Sequence, residues 1–581
     1  MKPAAVTRLL CLIISLLLLA GCGKNAVSTT NTGNTTDFGS IPEESTQEAD
    51  TVQTIVSGSF AMPCNASYGW DPYACRSIEN QAVMDLIYEG LFTMNSQFDA
   101  EPALCSEYTV SDDGMIYTLT IRDACFSDGD PVTADDVIYS LEKAEASDLY
   151  SPRFRDVSYY EAGGTNTVFI YMVNPNDRLP CMLDFPIIPN FSATANALGT
   201  GPFVRNGTTN LTKNKYWWQG QENLAIESVS LYSSISAEDT RDHFEIDTIH
   251  FVHNDPLSSS AATYHCDYEL WNSQGTVMQY MGFNMANGVF QDQSMRTAVL
   301  KAIDRTSIAE SVYHNYADAA SLPVAPSSSM YDEELARNYA YDRDVALSEL
   351  MASSSFYLPD KHPVVTGEIF DEDFDLDAYT DAILGVNEEE KEEEPEPEED
   401  NPEALLEEPE DSSLEEAQPV YADMTAYNRI TLLVMSGSLY RTQAAQQVAE
   451  DLTKVGFTVT VVEKGRDEFI YTLNNLPEEW DLYYADVTLT PDFNLRSILY
   501  PGNKLYYGSI PEDSTLRSLY YKALENSGNR YDLYEYIMDK GYICPILFQN
   551  HALFTTRGVF TGLNPAPGNL FYGITNITVN N

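Results

Sequence analysis

Residues 126–144 read FSDGDPVTADDVIYSLEKA, and this stretch decides the fold of the chain. Asp128-Gly129 is a turn dipeptide, and Pro131 keeps the backbone extended just after it. Thr133 occupies an N-cap position, and Asp136 follows three residues later, where an acid favours the positive end of a helix dipole. Apolar residues then recur at helical spacing, which predicts a capped amphipathic helix entered from a tight turn: Val137, Ile138, Leu141 and Ala144.

Length and charge bound what the whole chain can be. Its 581 residues are enough for several lobes built around more than one core. Lys and Arg number 32 against 88 Asp and Glu, which gives a net charge of -56. So acidic a chain repels phosphate backbones, and we therefore expect no nucleic-acid partner.

The N-terminus indicates export. Lys2 and Arg8 precede an apolar run that is too short to span a membrane and has the form of a signal peptide. The run ends in Leu19-Ala20-Gly21-Cys22, which resembles the bacterial lipobox, where cleavage before the cysteine is coupled to acylation of its thiol. An ordinary secretory signal followed by a chance cysteine is the alternative. We expect a lipoprotein signal peptide (1–21), a lipid-bearing Cys22 that anchors the protein on the extracytoplasmic face of the cell membrane, and a disordered tether (22–50).

Export also places the remaining cysteines in an oxidising compartment. Seven lie beyond Cys22, and an odd number leaves at least one thiol free or paired elsewhere. The pairs closest in sequence are Cys64 with Cys75 and Cys105 with Cys125, and these are the disulfides to test first. No CxxC motif occurs, so a zinc ribbon is unsupported.

An ordered series of short motifs surrounds the opening stretch. Taken together over some seventy residues, this order resembles the solute-binding proteins of peptide-type ABC importers, the family of dipeptide, oligopeptide and nickel receptors. The motifs are Asp71-Pro72, Tyr88-Glu89-Gly90-Leu91, Pro102-Ala103-Leu104, Asp112-Asp113-Gly114, Arg122, Phe126, Asp128-Gly129 and Val132-Thr133-Ala134-Asp135-Asp136-Val137. Later segments continue the resemblance, notably GTGPF at 199–203, FEID at 244–247, and MRTAV through AIDR at 295–305.

The resemblance implies an α/β fold of the two-lobed, type II periplasmic-binding-protein kind, with an extra domain inserted in the first lobe. A monomer without cofactor or metal would capture a peptide or a related small solute between closing lobes, and would deliver it to a membrane permease driven by an ATPase. The expected parts are lobe I (51–66, 190–285 and 546–581), the inserted domain (67–189) and lobe II (286–545). Further along, a helix from Thr442 to Lys454, ended by Gly456, and a strand from Phe457 to Val462 should form an αβ unit of lobe II.

An acidic insertion at 360–421 departs from the family pattern. Its centre, Glu388–Glu416, is more than half acidic with repeated Pro, so it repels itself and cannot bury a core. Cation capture or docking on a basic partner is the functional alternative to a merely solvated loop. We expect deletion of residues 386–418 to leave the unfolding midpoint and the solute affinity unchanged, as measured by thermal denaturation and calorimetry. A large fall in either would show that the insertion has a role.

The solute site is expected near the segment that follows Asp481. In the family the acid that holds a peptide's amino terminus comes after a Gly-Trp, but here Asp486-Val487 replaces that dipeptide, which puts dipeptide specificity in doubt. Asp486 and Asp492 are the candidates for holding an amine, with turn or capping acids as the alternative. Aromatic walls could come from Tyr483, Tyr484, Phe493 and Trp70, although aromatics of this kind also build plain cores.

Other functions have weaker support. GxSxG, Walker A and HExxH motifs are absent, which argues against an enzyme. His250 and His253 flank Phe251-Val252, and their odd separation on a strand points them to opposite faces, so we expect structural histidines. A nickel or metal-chelate receptor of the same family, and a signalling or structural lipoprotein that has lost transport, stay open as alternatives.

Overall fold

The computed structural model describes residues 57–258, 261–356, 428–500 and 510–580. The predicted signal peptide (1–21), Cys22, the tether (22–50) and the whole of the acidic insertion (360–421) lie outside these ranges. Within the ranges, no helix has the length and apolar character that crossing a membrane requires. The boundaries of the lobes and of the inserted domain stay predictions.

Two large apolar cores divide the described chain into a first and a second lobe. The first core draws on residues 60–251 and 553–579, and the second draws mainly on residues 278–548. Each core is sheltered by its own sheets and helices, so the predicted two-lobed α/β architecture is confirmed.

The first lobe contains one mixed four-stranded sheet in the order β1-β10-β9-β8. Strand β1 pairs with β10 in parallel, and the other pairs are antiparallel. The strands are β1 (Phe60–Cys64), β8 (Phe203–Asn206), β9 (Asn210–Lys213) and β10 (Ser228–Ser233). Other elements of this half are β2 (Phe92–Met94), β3 (Ala100–Pro102), β18 (Phe560–Thr561), β19 (Thr578–Val579), α1 (Ile78–Met84) and α3 (Ala237–Glu245).

A second, antiparallel four-stranded sheet in the order β4-β5-β7-β6 lies within residues 105–172. Its strands are β4 (Cys105–Val110), β5 (Ile116–Ile121), β6 (Val157–Ala162) and β7 (Thr167–Met172). Helix α2 (Ala134–Glu145) lies beside this sheet and is the helix predicted from the opening stretch.

The cap of helix α2 forms as predicted. The Asp136 carboxylate accepts hydrogen bonds from the Thr133 backbone N–H (2.8 Å) and the Thr133 hydroxyl (2.6 Å). Its other oxygen accepts from the Asn190 backbone N–H (2.7 Å), which ties the start of the helix to a distant segment. The predicted apolar face is buried at Val137, Leu141 and Ala144. Local rules and tertiary packing therefore agree at this helix.

A seven-stranded sheet joins the two lobes. Its order is β11-β17-β12-β16-β14-β15, with β13 also paired to β17. The strands are β11 (Phe251–Asn254), β12 (Tyr268–Phe283), β13 (Ala317–Ala319), β14 (Arg429–Met435), β15 (Thr458–Lys464), β16 (Leu482–Thr488) and β17 (Ile543–Thr556).

Strands β12 and β17 are long antiparallel partners that pass from one core to the other. Leu553 of β17 packs in the first core, whereas Met278 and Ile546 pack in the second. Their pairing is regular from Tyr268 to Gln274, breaks, and resumes at Met278. The break lies where the strands cross between the cores, and such an irregularity bends a strand and increases its twist.

Helices cover the sheet in the second lobe. They are α4 (Gln293–Ala302), α5 (Arg305–Ser307), α6 (Glu333–Arg337), α7 (Arg343–Ala352), α8 (Leu439–Thr453), α9 (Arg466–Asn475), α10 (Arg496–Leu499), α11 (Ser514–Glu525) and α12 (Arg530–Asp539). The predicted αβ unit is confirmed as α8 followed by β15, with Gly456 at a φ of +96° between them. Each boundary differs from the prediction by one to three residues.

Neither of the two candidate disulfides is formed in this structure. All seven described cysteines carry free thiols, so neither Cys64 with Cys75 nor Cys105 with Cys125 is bridged. Cys105 is buried in the first core and donates its S–H to the Glu107 carbonyl (3.2 Å), whereas Cys125 is half-buried beside Pro131. Closeness in sequence does not make two thiols face each other.

Candidate functional site

A cleft of about 1510 Å³ opens in the first lobe and reaches the segments where the lobes join. Its lining includes Ser273–Thr276 of β12, Thr488–Pro491 at the end of β16, and His551 of β17. The space exceeds that of a typical drug-sized pocket, which is about 300–1,000 Å³. It can therefore hold a solute of several residues.

The floor of the cleft is held by a polar network at the crossing strands. Asp318 accepts hydrogen bonds from the side-chain amides of Gln274 and Asn550, the second at 2.9 Å. The side-chain carbonyl oxygen of Gln274 in turn accepts a hydrogen bond from the Ser327 backbone N–H (3.2 Å). A shared carboxylate acceptor thus joins β12, β13 and β17 at the point where their regular pairing is interrupted.

Glu89 lies in one wall of the cleft beneath two tryptophans. Its carboxylate accepts hydrogen bonds from the indole N–H groups of Trp217 and Trp218, each at 3.1 Å. Arg122 lies over the Trp218 ring, 4.0 Å from the ring centroid. Burial raises the pKa of Glu89 to about 7, despite these donors. The Tyr88-Glu89-Gly90-Leu91 motif therefore supports an aromatic wall.

Asp85 follows helix α1 and also lines the cleft. One of its oxygens accepts a hydrogen bond from the Leu570 backbone N–H (3.1 Å). Burial raises the pKa of Asp85 to about 7, although this hydrogen bond acts in the opposite direction. Because the folded state then holds its proton more tightly than the unfolded chain, Asp85 should cost stability progressively as pH rises from about 4 to above 7.

We expect Asp85→Asn to be more stable than the wild type by about 2 kcal/mol at pH 8 and equal to it at pH 4. The amide cannot ionise but can still accept from Leu570. Urea denaturation at the two pH values measures the difference, with Asp112→Asn, an exposed substitution, as the control. Equal stability of Asp85→Asn and the wild type at pH 8 would contradict this account of Asp85.

The charged groups that line the cleft are mostly acidic. Its arginines are Arg76, which pairs with Asp148 at 3.3 Å, and Arg153, which pairs with Asp184. Eight acids line the same space: Glu79, Asp85, Glu89, Glu101, Asp148, Asp184, Glu238 and Asp255. The cleft consequently favours a solute that carries positive charge.

Asp486 and Asp492, the acids predicted to hold an amine, are engaged with protein groups. Asp486 forms an ion pair with Arg441, whose side chain is only 9% exposed. Asp492 is fully buried, and its carboxylate accepts from the Asn176 amide (3.2 Å) and the Thr490 hydroxyl (2.5 Å). Neither acid lines the cleft, although Thr490, the neighbouring position considered in the sequence, does. Their roles in binding stay predictions.

The predicted aromatic walls lie mainly in cores. Tyr484 and Phe493 are buried in the second core, and Phe493 meets Phe98 and Phe548 edge to face. Tyr483 packs edge to face on Trp480 and Tyr280. Trp70 is half-buried, with Arg205 4.5 Å from its ring centroid. These contacts match the alternative of plain core packing, and a solute contact for any of the four stays a prediction.

The two histidines singled out in the sequence have different surroundings. His250 is buried and accepts the Ala61 backbone N–H on Nδ1 (3.1 Å), which is a structural role. His253 lies in the cleft wall with its ring centroid 5.4 Å from that of His551. In the part of the chain that the structure describes, no three His, Cys, Asp or Glu side chains are grouped to hold a metal ion.

Sequence reasoning missed Asp85 and His551 as cleft residues. Glu89 was quoted only as part of a family motif, and Asp85 stands four residues before it, just after the end of helix α1. His551 carries no local signal because strand pairing brings it beside residues some 300 positions earlier. A search for acids at helical spacing around the Glu89 motif could have found Asp85.

Comparisons with known proteins agree with this geometry. A family model described as "Bacterial extracellular solute-binding proteins, family 5 Middle" matches residues 99–355. The glutathione-binding protein GsiB of Shigella flexneri serotype 5b is 26% identical over 309 residues, which cover 49% of this chain and 59% of GsiB. The match thus spans little more than half the length of that curated relative.

Solved structures share the fold over nearly the whole chain. The oligopeptide-binding protein AppA from Bacillus subtilis, in complex with a nonapeptide, has a TM-score of 0.53 at 16% identity, with 91% of this chain and 100% of AppA covered. NikZ from Campylobacter jejuni, in complex with Ni(L-His), has a TM-score of 0.53 at 17% identity, with 90% and 99% covered. The architecture is therefore the two-lobed type II fold, and residues 99–355 are similar to the family 5 extracellular solute-binding proteins.

Proposed function

We propose that the protein is the substrate-binding lipoprotein of an ABC importer and that it captures a peptide or a related small solute that carries an amine. The observation that carries this proposal is the cleft itself, which is large, reaches the segments where the lobes join and is lined by eight acids against two paired arginines. Closure of the lobes would be stabilised by the contacts that the solute makes only in the closed form. The loaded protein would then dock on a membrane permease driven by a cytoplasmic ATPase.

Peptides are favoured among the possible solutes for a chemical reason. A peptide offers an ammonium group to an acidic wall and a chain of amides to polar groups. An aromatic wall can accommodate the peptide's varied side chains. The Trp217–Trp218 wall above Glu89 supplies such a surface. Recognition and delivery, and not catalysis, would be the activity of the chain.

The test is mass spectrometry of whatever co-purifies with the protein produced from Gly23 onward. We expect peptides or amine-bearing solutes that are released on denaturation. Ala237→Trp places a large side chain in the cleft and should abolish retention, whereas the matched Ala193→Trp, on the exposed surface away from the cleft, should not. Recovery of only a sugar or a metal, or equal retention by both variants, would defeat the proposal.

We further propose that Cys22 carries a lipid which tethers the protein to the extracytoplasmic face of the membrane. The support is the order of a short basic segment, an apolar run and Leu19-Ala20-Gly21-Cys22. Labelling of producing cells with a radioactive fatty acid should mark the wild type and not Cys22→Ser. Equal labelling of the two would contradict the anchor.

A further inference from the structure

Two imidazoles in the cleft wall have buried nitrogens that the surrounding protein satisfies poorly. Nδ1 of His551 is buried without a hydrogen-bond partner in the described ranges, and His253 has only an interaction with the Ile78 backbone. A polar atom that is buried without a partner costs stability, because it has lost its hydrogen bonds to water. A native protein usually keeps an unpaired buried group for a reason, and a missing ligand is one such reason.

Nε2 of His551 lies beside Gly275 in the lining of the cleft. A Cβ atom built on Gly275 would lie 3.6 Å from His551 Nε2 and 2.8 Å from the Gln549 carbonyl oxygen. Gly275 therefore leaves this side of the imidazole free of side-chain cover, at the break in the β12–β17 pairing. Both His551 and Gly275 line the cleft.

The charges around the pair indicate what it can bind. Burial lowers the pKa of His551, with Asp255 acting in the opposite direction, and burial and His551 lower the pKa of His253 to about 3. Both rings are thus neutral near pH 7, and each offers a nitrogen lone pair. Asp255 lines the cleft nearby, so the complementary group is a cation that donates N–H bonds.

We propose that His551 and Asp255, with the His253 ring against His551, form the subsite that receives the protonated amine of the solute. The inference rests on the proposed function and adds the residues that recognise the ligand. It replaces the predicted amine acids Asp486 and Asp492, which are already engaged with protein groups. An amine is favoured over a bare metal ion because no three metal-ligating side chains are grouped within the described ranges.

Two equimolar tripeptide libraries test the subsite, one with free amino termini and one N-acetylated. Mass spectrometry would quantify the peptides that the purified protein retains. The wild type should retain the free-amine library at least about tenfold better, which corresponds to ~1.4 kcal/mol. His551→Phe and Asp255→Asn should each lose about this factor and retain the two libraries alike.

Controls separate folding from recognition. Asp255→Asn keeps the oxygen that accepts the Leu257 N–H (3.0 Å), so it should fold even if His551→Phe does not, as judged by circular dichroism. His265→Phe, at a side chain 74% exposed and outside the cleft, should retain peptides like the wild type.

The outcomes distinguish the two proposals. If the wild type retains neither library, the proposed peptide function fails, and the subsite fails with it. If the wild type retains peptides but binds both libraries equally, or if Asp255→Asn keeps the preference, the subsite alone is wrong. Tight binding of Ni²⁺ alone that is lost in His551→Phe would also overturn it, because the pair would then be a metal site.

Discussion

Asp492→Ala should lower the free energy of unfolding by about 3 kcal/mol, because it removes a fully buried carboxylate that accepts two side-chain hydrogen bonds. The Arg530 guanidinium is buried, donates to the Asp492 backbone carbonyl (2.6 Å) and interacts electrostatically with Asp492. The substitution also leaves the Asn176 amide and the Thr490 hydroxyl without their acceptor. Urea denaturation followed by circular dichroism measures the loss.

Asp112→Ala, at an exposed position, is the matched control and should change stability by no more than about 0.5 kcal/mol. Asp492→Asn keeps one acceptor oxygen and should fall between the two. If Asp492→Ala proved as stable as the wild type but lost its solute, Asp492 would be a binding acid and the structural role assigned to it would be wrong.

Arg296→Met should cost about 4 kcal/mol, the second large effect. The Arg296 guanidinium is 6% exposed and ties helix α4 to two other segments of the chain. It donates to the carbonyls of Phe290 (2.8 Å), Gln291 (3.0 Å), Lys540 (2.8 Å) and Gly541 (3.1 Å). Methionine fills a similar length but leaves these buried acceptors unpaired.

Two further substitutions sharpen this prediction. Arg296→Lys keeps the charge but lacks the planar fork, so it should recover only part of the loss. Arg337→Met removes an exposed arginine that donates to the Glu333 carbonyl of its own helix, and it should be close to neutral. Thermal unfolding of the three variants ranks them, and a ranking in which Arg296→Met equals Arg337→Met would contradict the account.

Local chemistry predicted the scaffold well. The turn, cap and apolar spacing of residues 126–144 specify helix α2 because each depends on neighbours a few positions away. Helix α8, Gly456 and β15 were predictable for the same reason. The motif at 295–305 contains Arg296, whose buried contacts now give a physical reason for an arginine there.

The binding groups were harder to predict because their environment is set by distant residues. An aspartate's identity shows its charge but not its partner: Asp486 pairs with Arg441, and Asp492 meets Asn176, more than 300 residues away. His253 was considered in the sequence together with its neighbour His250, yet antiparallel pairing of β11 with β17 places it beside His551. Burial and long-range pairing decide such a site, and neither has a local signal.

Lobe closure around a solute is the central claim, and small-angle X-ray scattering tests it most directly. The protein from Gly23 onward would be measured after its co-purifying solute is removed, and again with that solute restored to saturation. We predict a smaller radius of gyration with solute, and no change in Ala237→Trp, because closure is stabilised only by contacts made in the cleft. Identical scattering of the wild type with and without saturating solute would contradict the account.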